Sequence, residues 1–528
     1  MESSFTNSKA WSGKMPEKIF EKVKQNVPSQ WKVCFIASFV VGLVAHMYKL
    51  TNWLPNWDSL VFRHDPQNMV AMGRWFLPVV CTPSSFYDLP WLTGLLALVF
   101  HGFGAVCICK MFRVRKPVTA ALIGAAVITF PTVTSVLMYN YVADGYALAF
   151  LLSCAAAMVL VGSKKPRYIV SSVCIALSAG IYQAYITVTV MLLLCYLIIE
   201  TMTAEAKVSE MLTRSLKFVA TGISGLVLYY VVMTIILKIT NTTLLEYQGL
   251  SDAMSFSGLN VFAILYAIRR SFTDYFFDFS NGVAVFSVLN CVIFAVTVIL
   301  YIADVIKQRT SFTKILLIAV YVIFLPIGAS ILTLINSDVD YHNLMKMGFF
   351  IFYLFFILQY EKLDIKAPKL NVAKAWAILG ITFVLVFNNM IIANVSYHKL
   401  NMAYEKSYGV LIRIADRIDQ TEGASARDKI LVLGALEDSE AYSVKLPPDM
   451  TGATDGFILR MDDEIVGQSV LCSALNDYCG TNYAFVYGEE KAALLEKIEA
   501  ENMGIWPALD AIAVVDDVII IRLGKEVQ

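Results

Sequence analysis

Apolar runs of close to twenty residues recur along this chain, separated mostly by short polar turns. Eleven are read, at about 33–50, 90–110, 118–138, 145–162, 168–182, 184–200, 217–239, 281–303, 314–335, 344–360 and 373–395. At 1.5 Å per residue such runs match a hydrocarbon core of about 30 Å. They lack the alternating ten-residue pattern of barrel strands, so the pattern predicts helical spans. The fifth and sixth runs are contiguous, "YIVSSVCIALSAGIYQAYITVTVMLLLCYLIIE". One helix there would be nearly 50 Å long, and its two basic flanks would fall on opposite sides. Two shorter helices turning at Gly180–Tyr185 fit both constraints.

Polar stretches complete the pattern. Residues 1–32 form a Lys-rich arm without a signal-peptide profile, expected on the cytoplasmic side and carrying an amphipathic surface helix. Residues 33–395 hold the spans. Residues 396–528 read as a small α/β module: "SYHKLNMAYEKSYGVLIRIADRIDQ" extends the last span, and "KILVLGAL" is a buried strand. "YGEEKAALLEKIEAENM" is a helix, and "DAIAVVDDVIIIRLG" is a hairpin around Asp516–Asp517. The fourth outer loop places Phe262, Leu265, Tyr266, Phe272, Tyr275 and Phe276 at helical spacing, which predicts an interfacial helix.

Composition agrees with this class. The chain has 528 residues, is 58% hydrophobic and only 16% charged. The charges are sorted. Lys110, Arg113, Arg115 and Lys116, then Lys164, Lys165 and Arg167, then Lys207, Arg214 and Lys217 fall on one set of turns. Lys307, Arg309, Lys314, Lys362, Lys366, Lys369 and Lys374 continue that set. The opposite loops before the tail hold only Arg63, Arg74, Arg269 and Arg270. The positive-inside rule therefore puts 51–89, 139–145, 240–280, 336–343 and the tail outside. Cys472 and Cys479 lie on that oxidising side with six residues between them, so a disulfide is expected. No Walker, HExxH or CxxC pattern and no dinucleotide fingerprint is present. The short basic turns leave no room for a nucleotide-binding domain, and nothing points to nucleic acid.

Candidate chemistry clusters in the outer loops. Asp58 follows the first span among Trp53, Trp57 and Phe62, with Arg63 and Arg74 nearby. A carboxylate held there could take a proton from an incoming hydroxyl. Asp65 competes for that role, and His64 could tune either acid. Asp144, at the head of an apolar run, is either a second functional acid or a helix-start acceptor. Tyr182, Gln183 and Tyr185 suit a sugar ring or an interfacial anchor. Arg269 and Arg270 offer planar forks to a lipid phosphate, with Arg74 as alternative. His342 and Lys346, beside Asp338 and Asp340, form a weaker candidate.

The early outer acid, "GRWFLP" at Gly73–Pro78, "YNYVADGYALAFLL" and "SAGIYQAYITVTVMLLL" together resemble the Gtr-type O-antigen glucosyltransferases of serotype conversion. The resemblance covers most of residues 35–400. It implies a GT-C architecture in the bacterial inner membrane, with a periplasmic tail. It also implies transfer of glucose from a polyprenyl-phosphate donor to lipopolysaccharide O-antigen repeats, with an essential first-loop acid at Asp58. Many relatives carry two adjacent acids there, whereas this chain has Trp57–Asp58. Asp65 and Asp144 are thus both open as the second carboxylate, and a divalent metal is open as a cofactor. The rival readings are another sugar on the same fold, a lipid-linked sugar flippase or an O-antigen polymerase.

Overall fold

The computed structural model of the chain describes residues 16–61, 68–161, 166–245, 261–277, 284–334, 341–364, 369–434, 436, 450–453, 464–497 and 503–525. Its helices are α1 (Pro16–Asn26), α2 (Ser29–Thr51), α3 (Trp57–Val61), α4 (Leu77–Tyr87), α5 (Pro90–Met111) and α6 (Pro117–Ile128). There follow α7 (Pro131–Met138), α8 (Ala143–Val161), α9 (Tyr168–Ile181), α10 (Ile186–Thr201), α11 (Val208–Thr240) and α12 (Val261–Phe276). The series ends with α13 (Ala284–Lys307), α14 (Phe312–Ala329), α15 (Phe350–Glu361), α16 (Lys369–Gln420), α17 (Glu464–Cys479) and α18 (Gly488–Leu495).

Each of the eleven apolar runs falls on helix. Among the described residues nine helices are long and apolar enough to cross a membrane. A tenth candidate is the α6–α7 pair, bent by 42°. The bend has a local cause: Phe130 precedes Pro131, is driven into extended geometry (ψ 135°), and cannot continue the helix. The remaining run, α9, has 14 residues and spans only about 21 Å. The chain reverses after it, as the charge argument requires. Going up α9, Ser172 donates to Thr221 O and Gln183 beyond it donates to Tyr229, so α9 runs alongside α11 in one direction. Tyr196 and Glu200, at the far end of α10, meet Arg214 near the start of α11. Ser153 holds the turn, pairing with Ser178 Oγ at 2.8 Å and donating to Tyr185 O at 2.9 Å.

The two sets of loops separated by charge are brought to two ends. At one, Glu361 Oε1 accepts from Arg115 N (2.9 Å), Lys362 reaches Asp304 (2.8 Å), and Lys314 donates to Thr203 O (2.7 Å). At the other, Asp88 meets Asn140, and Asn343 N donates to Thr451 Oγ1 at 3.2 Å. Helix α12 is amphipathic as expected, but the residues of its apolar set divide. Tyr275 and Phe276 are buried, while Phe262, Leu265 and Tyr266 are exposed.

Helix α16 has 52 residues, about 78 Å, so it reaches well beyond the hydrocarbon core and carries the tail. There a four-stranded sheet has the order β2–β1–β4–β3, with β1 (Lys429–Leu433), β2 (Ala484–Phe485), β3 (Ile512–Val515) and β4 (Val518–Arg522). Strand β1 runs parallel to both neighbours, and β3–β4 is an antiparallel hairpin. Its turn residues, Asp516 (φ 46°) and Asp517 (φ 66°), are both left-handed, as a two-residue hairpin turn demands.

One expectation is corrected here. Cys472 and Cys479 are both free thiols. They sit on one continuous helix, α17, so their seven-residue offset separates them by about 10.5 Å along its axis. A disulfide needs Cα atoms about 4.4–6.8 Å apart. The Cys472 thiol instead donates to Tyr483 O at 3.0 Å, and burial pushes its pKa up to about 11. We therefore expect non-reducing mass mapping to find both cysteines unpaired. Cys472 should alkylate slowly at pH 8 in the folded protein and rapidly after unfolding. Recovery of a linked Cys472–Cys479 peptide would contradict this.

Candidate active site

The loop after the first long helix is built to hold a fixed course. Lys49 is almost fully buried, and its Nζ donates to Leu54 O at 2.9 Å. The Leu54 side chain enters an apolar cluster with Met138, Tyr397 and Leu400. Asn56 then starts α3: its Oδ1 accepts from Ser59 N at 3.0 Å and from Ser59 Oγ at 2.9 Å, as an N-cap should. Ser59 and Leu60 are buried, while Asp58 is half-buried on the same short helix. Its carboxylate lies within electrostatic range of the Tyr141 hydroxyl, which is also within range of the Arg74 guanidinium.

Arg74 is the centre of the second half of the site. The chain enters it through Gly73 at φ 72°, where a Cβ would meet Tyr229 Oη at 2.6 Å, so glycine is required twice over. Phe76 N donates to Gly180 O at 2.7 Å, which joins "GRWFLP" to the α9–α10 break. Gln183 Nε2 donates to Met72 O (3.1 Å) and to Tyr229 Oη (3.0 Å), and Tyr229 Oη donates to Gly73 O (3.0 Å). Gln183 thus ties the two segments together. The Arg74 guanidinium lies 4.7 Å above the Tyr182 ring, and its Nη1 donates to Tyr146 Oη at 3.1 Å. Tyr146 and Tyr182 stack at 4.6 Å and 6°, and Tyr185 meets both edge-on. Tyr185 is 1% exposed, and its hydroxyl has no hydrogen-bond partner among the described residues. A buried hydroxyl in that state favours an incoming polar group.

The other predicted residues divide. Asp144 is buried against α4: its Oδ1 accepts from Ser84 Oγ (2.9 Å), Gly145 N (2.9 Å) and Cys81 Sγ (3.5 Å). That arrangement fits the structural alternative for this acid. Lys346 is 9% exposed, on a 3₁₀ segment (Asn343–Phe349) packed on Gln183–Tyr185 and on α10. Gly348 permits the approach, since a Cβ there would touch Thr187 at 3.0 Å. His342 is half-buried at the start of that segment. Arg269 and Arg270 stand on the exposed side of α12, with Arg270 Nε 3.6 Å from Asp274. They are not drawn into the tyrosine cluster. Arg63, His64, Asp65, Asp338 and Asp340 lie outside the described residues.

Sequence reasoning missed Asp88. It closes α4 in a left-handed conformation (φ 47°) that aspartate tolerates. Its Oδ2 accepts from Trp53 Nε1 and its Oδ1 from Asn140 Nδ2, each at 2.5 Å, and Lys49 lies in its field. A carboxylate two residues before Pro90 was its only trace in the sequence. Tyr141, Tyr146 and Tyr229 were likewise passed over, as tyrosines inside apolar runs carry no distinguishing signal. Among the described residues no three His, Cys, Asp or Glu side chains gather as a metal site.

The site therefore sets an arginine stacked in a tyrosine cluster where several helices break, with a half-buried acid on the loop leading to it and a buried lysine on a segment packed against the break. Breaks at membrane depth are tolerated where the backbone is buried in protein or lines a polar space. No curated protein and no solved structure matches the chain. The GtrII glucosyl transferase family matches residues 47–359, more than half of the chain, from the end of α2 to α15. Those residues carry Asp58, Arg74, Lys346 and the tyrosine cluster, and the protein belongs to that family and is a membrane glycosyltransferase.

Proposed function

We propose that the protein moves a glucosyl unit from a polyprenyl-phosphate donor to O-antigen repeats, on the periplasmic face of the bacterial inner membrane. The observation that carries this is Arg74, seated over Tyr182 and bonded to Tyr146 in the Tyr146–Tyr182–Tyr185 cluster where the helices break, with the half-buried Asp58 in the loop after the first span. The site's distance from the basic loops supports the outward orientation, with the N-terminus cytoplasmic and the tail periplasmic.

In this reading an acceptor hydroxyl attacks the anomeric carbon as Asp58 takes its proton. The bond from that carbon to the phosphate oxygen breaks, and its electron pair leaves on the phosphate. Arg74 and Lys346 stabilise the departing charge. A single displacement inverts the anomeric centre. Aromatic faces and the Tyr185 hydroxyl meet the sugar, while Asp144 and Asp88 hold the surrounding segments. Arg269 and Arg270 face the headgroup region instead, where an exposed ion pair such as Arg270–Asp274 contributes little.

The test is transfer by the purified protein from polyprenyl-phosphoglucose to an O-antigen acceptor. One hexose added per repeat supports the proposal. Longer chains would make it a polymerase, and donor movement without transfer would make it a flippase. Tyr185→Phe adds a sharper prediction. Removing an unpartnered buried hydroxyl should leave the thermal midpoint unchanged or raised, yet lower kcat/KM about tenfold if that hydroxyl meets the sugar. Unchanged kinetics would remove Tyr185 from the sugar site.

A further inference from the structure

Helix α3 has five residues, too few to hold its own conformation in water. Its orientation, and with it the direction of the Asp58 carboxylate, must come from what it touches. Two bodies hold it, one through the residues that lead into it and one through the helix itself. On the membrane side Leu54 is buried with Met138 and Leu400. On the other side Leu60, 2% exposed, is a member of the tail's own core, packed with Leu411, Ile414, Leu471 and Leu475. Trp53 joins the two. Its Nε1 donates to Asp88 Oδ2 at 2.5 Å, and Asp88 in turn holds Asn140. The Trp53 ring lies 5.7 Å from that of Tyr478 on α17, which meets Tyr404 and Tyr408 of α16 edge-on.

We infer that the C-terminal α/β unit is a clamp that positions the Asp58 carboxylate, with Leu60, Trp53 and Tyr478 as its positioning residues. This rests on the reading of Asp58 as base. The tail core is incomplete without Leu60, so the unit and the α3 helix order each other. A shift of the tail moves the acid relative to Tyr141 and Arg74, and a displacement of about 1 Å at a reacting group can cost a hundredfold in rate.

The test uses the full-length chain in nanodiscs with polyprenyl-phosphoglucose as donor. Tyr478→Ala and Leu60→Ala should each lower kcat about ten- to hundredfold while the donor KM stays within about twofold. Amide exchange over residues 53–61 should accelerate, while that of α8 and α9 does not change. Tyr478→Phe, which keeps the ring, should behave as the unmodified protein. In an Asp58→Asn background, Tyr478→Ala should add no further loss, because both changes act through one group. Unchanged exchange over 53–61 would overturn the clamp. So would retained kcat with only the acceptor KM raised, which would make the aromatic cluster a glycan-binding surface. Full activity in Asp58→Asn alone would instead defeat the base assignment, and the exchange measurement would still decide whether the tail holds α3.

Discussion

Asp58→Asn is expected to leave a folded protein that binds donor but transfers glucose about 10²- to 10⁴-fold more slowly. The amide matches the carboxylate in shape but cannot accept the acceptor's proton. Stability should move by no more than about 1 kcal/mol, because α3 is started by Asn56 rather than by Asp58. Single-turnover transfer measured beside a thermal melt separates the two effects. A variant with an unchanged melt and an unchanged rate would show that the proton goes elsewhere. The contrast with Asp144 is instructive. That acid takes three donors, two of them from α4. Its loss would show as a loosened α4–α8 packing, and so in stability.

Arg74 carries the second large effect. Arg74→Met should lower kcat/KM for the donor about 10²- to 10³-fold, the usual cost of removing one charge-stabilising donor from a preorganised site. Arg74→Lys should recover only part of that. Lysine restores the positive charge but not the planar group that lies over Tyr182 at 4.7 Å while donating to Tyr146 at 3.1 Å. If lysine restored full activity, Arg74 would act as a bare charge, and the tyrosine stack would be packing alone. If methionine cost nothing, the donor phosphate would have to be held elsewhere, with Lys346, on the segment packed against Gln183–Tyr185, as the next residue to test.

Much of the architecture was legible before any coordinates. Hydropathy runs and the Lys/Arg bias are local properties, so they located every long helix and sorted the loops into two sets, each of which is drawn together in the fold. The hairpin at Asp516–Asp517 and strand β1 were legible for the same reason. Parts of the site were also readable, since "GRWFLP" and "GIYQAY" are short segments, each legible as a unit, that the Phe76 N to Gly180 O bond joins.

What the sequence by itself determined, then, was the set of helices, the sorting of the loops into two sets, and the residue types available in each. Tertiary structure decided which of them meet. It drew Arg74 into the tyrosine cluster and left Arg269 and Arg270 exposed. It paired Asp88 with Trp53 and Asn140, put Leu60 into the core of a unit more than 300 residues further along the chain, and kept Cys472 and Cys479 apart on one helix. The reason is physical. Periodicity and hydropathy record how each segment meets solvent or lipid, whereas these contacts depend on where helices break and how they pack, and no local pattern carries that information.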